Sequence, residues 1–258
     1  MVRGRCRLCR KRRRLVRSHM MPAALYAMTR EHGARISHPI MVTRVTSVPT
    51  SRQIWSYLLC RECEHRFNVG GEQYVMTLVQ DGTDFPLLER LNVALPLQEI
   101  STMAMYSGPA IGINVQQLAY FALSVFWRAA VHRWRGPHGG TIWNSLGAYE
   151  EPIRRYLLGE VGFPADVIVS VMACTDRGSQ GSFYTPCEIR GHEITGFGML
   201  ARGIHFRLFV GPDIPQRMRR ACCFSSPGQV ILRGSCHRIS VHAFANLHGS
   251  SRPSRALR

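Results

Sequence analysis

Two cysteine pairs, Cys6-x-x-Cys9 and Cys60-x-x-Cys63, carry the clearest chemistry in this chain. Zinc takes four soft ligands in a tetrahedron, and a pair at this spacing spans one edge of it. Four thiolates leave no open position, so the pattern predicts a structural zinc ion bound by Cys6, Cys9, Cys60 and Cys63. The arginines flanking the first pair favour the thiolate form that the metal requires. Two unrelated pairs or a redox pair are the competing readings. Matched spacing of both pairs argues for one shared metal, although about 50 residues separate them.

A second set of residues has the composition of a hydrolytic site. Phosphodiester hydrolysis needs a water activator, a Lewis acid and neutralisation of phosphate charge. His19 can serve as the base, and Glu64 with His65 as a partial site for magnesium or manganese. Arg10, Lys11, Arg12, Arg13, Arg14 and Arg17 can hold phosphate. Glu72 lies eight residues beyond Glu64 and would share its helix face, but Gly70-Gly71 predicts a break between them. Each residue also has a plainer role. His19 can orient a turn, Glu64 can sit favourably at a helix start, and the basic run can be a solvated hairpin surface.

The order Cys6-Arg-Leu-Cys9, Ser18-His19-Met20-Met21-Pro22, Leu58-Leu59-Cys60-Arg61-Glu62-Cys63-Glu64 resembles the zinc-bearing form of the HNH endonuclease family. The likeness covers about 65 of the 258 residues. It implies a ββα-metal, or treble-clef, fold with the second cysteine pair opening the helix. It further implies that His19 is the general base and that the residue after the second pair, here Glu64, helps hold a catalytic divalent ion. Ser18 stands where the family has an acid, and Gln53-Ile54-Trp55-Ser56 stands where it has an asparagine. The expected function is a metal-dependent endonuclease acting on DNA. The alternatives are a zinc-dependent nucleic-acid-binding protein without catalysis, or a subunit of a larger assembly.

Composition is consistent with such partners. Thirty-three Lys and Arg face 16 Asp and Glu, for a net charge of +17, which favours a polyanion. Nine of residues 3–17 are basic, and no acid precedes Glu31. Lys11 is the only lysine, a skew that reflects composition bias and says nothing of partners. No secretory signal or apolar stretch of membrane-spanning length is evident, so a cytoplasmic chain without a membrane partner is expected. In a reducing compartment the nine cysteines predict metal ligands and free thiols instead of disulfides.

These residues need a scaffold, and the sequence predicts an α+β one. Residues 1–80 form the zinc domain, with a short helix from Pro22 to about Arg30, an irregular stretch with a strand near 40–47, and a helix over 61–80. Residues 81–160 form a helical core segment, with a strand at Leu91–Pro96, a long apolar helix over about 113–135 that stops at Gly136-Pro137, and another at 145–159. Residues 161–248 read as an antiparallel sheet with strands at 166–173, 204–210, 229–233 and 238–244, offering a surface for a protein partner. Residues 249–258 read as a disordered tail. Cys222-Cys223 with Cys236-His237 make a poor metal set, because adjacent cysteines fit one tetrahedron badly. His192, His205, His237 and His242 read as ordinary sheet residues.

Overall fold

The computed structural model describes residues 2–28, 40–42, 47–49, 52–100, 102–136, 141–189, 194–224 and 229–236. The expectations for 238–244, for the tail, and for His192, His237 and His242 fall outside these residues. In chain order the elements are β1 (Arg3–Arg5), β2 (Arg12–His19), α1 (Ala23–Met28), β3 (Ile40–Val42), β4 (Ser47–Pro49), β5 (Trp55–Cys60), α2 (Arg61–Phe67), a π-turn (Asn68–Glu72) and α3 (Gln73–Met76). They continue with α4 (Pro86–Val93), β6 (Gln98–Ile100), β7 (Met103–Ser107), α5 (Val115–Val131), β8 (Trp134–Arg135), β9 (Thr141–Ile142) and α6 (Glu150–Leu157). The last part holds β10 (Val167–Cys174), α7 (Arg177–Gln180), β11 (Phe183–Ile189), β12 (Thr195–Ala201), β13 (Ile204–Val210), α8 (Gln216–Arg220) and β14 (Val230–Gly234).

The expected α+β class holds, with a four-cysteine cluster near the N-terminus and a sheet built largely from the last third. Near the N-terminus, β2 pairs antiparallel with both β1 and β5, and α2 follows β5 without a loop. The larger sheet has seven strands in the order β11-β12-β13-β10-β14-β7-β6. It is not purely antiparallel, because β10 and β14 run parallel. Residues 98–107 supply its β6 and β7, so the middle of the chain is not wholly helical. All eight residues of β10 are buried, as expected of a central strand covered on both faces.

Helix α5 joins the two parts. It is apolar on most faces and buried along most of its length, and Asn114 caps its start by accepting from the Gln117 backbone N–H at 3.1 Å. One side packs on the sheet, where the Phe121 and Phe206 rings lie 5.2 Å apart. The other side crosses the helix that carries the second cysteine pair. The helix ends at Val131 and not near 135, because the chain turns back. Trp134 Nε1 donates at 2.8 Å to the Arg128 carbonyl, one of the carbonyls a helix end leaves open. The largest apolar cluster runs from Leu8 and Phe67 through α5 to Phe206 and Ile231.

Three further expectations need correction. Leu91–Pro96 is not a strand: Pro86 starts a helix, α4, that buries Leu87 and Leu91 one turn apart. The helix at 145–159 is shorter, with α6 proper at Glu150–Leu157 after a 3₁₀ turn at Gly147–Tyr149. The cysteines are not all metal ligands or free thiols, since Cys174 and Cys236 form a disulfide. Parallel pairing of β10 with β14 sets Cys174 opposite Gly234, so Cys236 arrives beside it with Cα atoms 5.4 Å apart.

His205 lies on β13 between Met172 and Leu200. Neither of its ring nitrogens has a hydrogen-bond partner among the described residues. Burial, with a smaller push from Arg207, drives its pKa down to about 3. The unfolded chain therefore takes up a proton near pH 6.5 that the folded chain refuses until about pH 3. Stability should fall by about 1.4 kcal/mol for each pH unit below 6.5 from this residue alone. Urea unfolding of the protein and of His205→Phe over this range checks it, the variant showing the shallower decline. Equal slopes would show that His205 does not govern the acid limb.

Candidate functional site

The two cysteine pairs meet because the fold brings a hairpin turn to a helix start. Cys6 and Cys9 lie in the turn between β1 and β2, where Arg10 takes a left-handed conformation (φ 59°). The Arg10 N–H donates to the Cys6 carbonyl at 2.9 Å, and the Cys6 N–H to the Lys11 carbonyl at 3.0 Å. Cys60 ends β5 and precedes α2, and Cys63 lies in the first turn of that helix. The four sulfurs lie within 4.8 Å of one another. Cys9 and Cys60 sulfurs are 3.9 Å apart, close to the edge of about 3.8 Å for a thiolate tetrahedron with bonds of about 2.3 Å. The Cys60 N–H also donates to the Cys6 sulfur at 3.3 Å. A hydrogen bond from the Cys63 thiol lowers the Cys6 thiol below its ordinary value, and the same bond pushes Cys63 up. The geometry and donor set fit a metal ion.

The turn that carries Cys6 and Cys9 is anchored by α6. Arg154 of α6 donates to the Leu8 carbonyl at 2.7 Å and pairs with Glu151, which also binds Arg10. A second group, Cys174, Asp176 and Cys236, has its ligand atoms equally close, but its two sulfurs are bonded to each other. Cys222 and Cys223 point into different apolar clusters and so do not form a metal pair.

Beside the cysteines is a cavity of about 290 Å³, lined by His19, Glu64, His65, Asn68, Glu72 and Arg128 among others. The three residues singled out for hydrolysis, His19, Glu64 and His65, thus share one cavity. His19 ends β2, and the others descend the helix that begins at Cys60. That helix does not break at Gly70-Gly71. An unbroken α-helix would rotate Glu72 about 80° from Glu64; the π-turn over Asn68–Glu72 absorbs one extra residue and returns Glu72 to the cavity side. The glycines serve a different purpose from the one expected. A Cβ on Gly70 would meet the Tyr120 ring at 2.4 Å, and one on Gly71 the Gln117 carbonyl at 2.6 Å. Only glycine lets α5 cross so close.

That crossing delivers Arg128 from the middle of an otherwise apolar helix. It is buried, donates to the His19 carbonyl at 2.8 Å, and pairs with Glu72 at 2.5 Å. Ser18 is buried as well; its hydroxyl donates to Glu64 at 2.8 Å and accepts from the Leu59 N–H at 3.2 Å. Burial raises the Glu64 carboxyl above its ordinary range, against the pull of Arg128 and the Ser18 hydrogen bond. Burial lowers His19 below 6.5, opposed by a hydrogen bond with Gln53 and assisted by Arg128. His19 is therefore neutral near pH 7. Gln53, Asn68 and Arg128 are the residues that sequence reasoning did not assign to the site. An arginine in the middle of an otherwise apolar helix was the available signal for the last of them.

Removing Arg128 strands the Glu72 carboxylate and frees the end of β2. Arg128→Met should lower stability by about 3–5 kcal/mol, and Arg128→Met with Glu72→Met should recover most of that loss. Denaturant unfolding of the three proteins measures it. Equal stability of the single and double variants would contradict the coupling.

The predicted phosphate-binding residues lie on the β1–β2 hairpin. Arg10 and Arg13 are tied to Glu151 and Glu62 respectively. Lys11, Arg12, Arg14 and Arg17 are exposed. Arg5 faces Arg12 and Arg3 faces Arg14 across the strands, an arrangement of like charges that a hairpin does not favour by itself. The sequence matches no protein-family model, and comparisons with curated proteins and with solved structures find no match.

Proposed function

We propose that the N-terminal part of this protein is a zinc-stabilised, HNH-like module that hydrolyses phosphodiester bonds in DNA. In this reading Cys6, Cys9, Cys60 and Cys63 hold a closed structural zinc in a treble-clef arrangement of hairpin and helix. The observation that carries it is the cavity beside them, which unites a neutral histidine with two carboxylates, a second imidazole and a buried arginine. His19 would take the proton from the attacking water, in the deprotonated form that burial favours. Gln53 and Arg128 would fix its ring and backbone. Gln53 lies in the stretch where the resemblance calls for asparagine, and its amide is bonded to His19. Glu64, His65 and Glu72 line the cavity but do not form a converged ligand group among the described residues; a magnesium or manganese ion there would be held by their carboxylates and imidazole together with water. Such an ion, when bound, would polarise the phosphate and neutralise its charge. The exposed arginines of the hairpin would bind flanking phosphates.

Supercoiled plasmid incubated with the zinc-loaded protein should be nicked in magnesium or manganese and spared when a chelator removes those ions. A second reading, DNA binding without catalysis, is favoured by the Ser18–Glu64 hydrogen bond, which engages a carboxylate the reaction would need. Retarded but uncut plasmid at every metal concentration would select that reading.

A further inference from the structure

Beyond cleavage itself, the structure points to the form of nucleic acid that this site receives. We propose that Trp55 and Tyr57 make a stacking platform for unpaired bases, so that the preferred substrate is single-stranded or locally unpaired DNA. The proposal rests on reading this part of the chain as a nucleic-acid-binding face. Both residues lie on β5, the edge strand of the three-stranded sheet. Both stay 41% exposed, although an edge strand could have placed polar side chains there. Their rings meet edge to face at 5.6 Å, and the Arg17 guanidinium lies 4.6 Å from the Trp55 ring centre.

Register connects the platform to the cavity. Tyr57 is opposite Arg17, and Trp55 is opposite His19. Side chains alternate along a strand, so these four share one face, while Ser18 between them turns inward to Glu64. Two exposed rings, a guanidinium and the candidate base thus form one row that ends at the cavity. Arg17 supplies the positive charge of this row, and the exposed Arg12 and Arg14 lie further along the same strand. A positively charged track with aromatic steps is the common design for binding single strands, because every base has a face to stack and no sequence need be read. A paired duplex offers no such face, its bases being stacked on each other.

The test uses fluorescence anisotropy with the full chain and three probes of the same sequence: a single-stranded DNA, its duplex, and a single strand with abasic sites. The expected result is tighter binding of the single strand than of the duplex. Trp55→Ala and Tyr57→Ala should each weaken single-strand binding by roughly 5- to 100-fold. They should leave duplex and abasic binding within about 2-fold, and Trp55→Phe should restore most of the loss. Unchanged metal content and thermal unfolding establish that the variants are folded. Preference of the native chain for duplex, or equal losses on all three probes, would overturn the platform. The two readings separate cleanly. Metal-dependent nicking that needs His19, with no effect of Trp55 on strand preference, sinks the platform and leaves the nuclease. Trp55-dependent binding of single strands without any nicking supports the platform and sinks the nuclease.

Discussion

Replacing His19 with alanine should lower metal-dependent nicking by about 10²- to 10⁴-fold, the usual contribution of a positioned general base. Binding of DNA should change little, because the phosphate contacts belong to the hairpin arginines. Thermal stability should also hold, since His19 is only half-buried and it is its backbone carbonyl, not its ring, that Arg128 binds. The same residue fixes the pH profile. Burial puts its pKa below 6.5, and the base must be unprotonated, so activity should fall with decreasing pH along a limb centred below 6.5. His19→Ala should erase that limb from whatever activity remains. Nicking rates that are equal in both proteins would reduce His19 to an aromatic neighbour of Tyr26 at the end of a strand.

The second large effect belongs to the cysteines. Cys63→Ser should prevent the proposed zinc from binding and open the lobe formed by β1, β2, β5 and α2. Thiolate zinc in small modules stabilises the fold by about 10–16 kcal/mol at neutral pH, comparable to or larger than the whole stability of an ordinary domain, about 5–15 kcal/mol. The loss here should be smaller than that, because Leu8, Leu59 and Phe67 also belong to the main core. The expected outcome is nonetheless a separate, earlier unfolding step and rapid tryptic cleavage among Arg10–Arg17, with the sheet still protected. A chelator strong enough to strip zinc should reproduce both effects in the native chain. Unchanged zinc content and unfolding in Cys63→Ser would show that the four sulfurs do not act together.

Much of the site could be read in the sequence because its chemistry is local. Metal-ligand spacing within each cysteine pair survives any fold that brings the pairs together, and His19, Glu64 and His65 flank those pairs closely. The elements positioning them were legible less evenly. Helix α5 announced itself by its length and apolar content. Glu72 and Arg128 did not, because their meeting depends on a π-turn and on how closely two helices cross, neither of which periodicity encodes. Gly70-Gly71 misled for the same reason: a helix breaker in isolation is a close-packing device once Tyr120 and Gln117 lie against it. The sheet was recognised from its short, punctuated strands, but β6 and β7 lie far earlier in the chain. The pairing of β7 with β14, and the parallel contact that brings Cys174 to Cys236, are long-range facts with no local signature.

The proposed hydrolysis requires the cavity beside the cysteines to bind a divalent cation distinct from the zinc proposed for the cysteines. Electron paramagnetic resonance of manganese titrated into zinc-loaded protein decides whether it does. One manganese site per chain is expected, competed by magnesium, lost in Glu64→Gln, and filled with zinc retained on the cysteines. Manganese that stays free, or binding unchanged by Glu64→Gln, would contradict it.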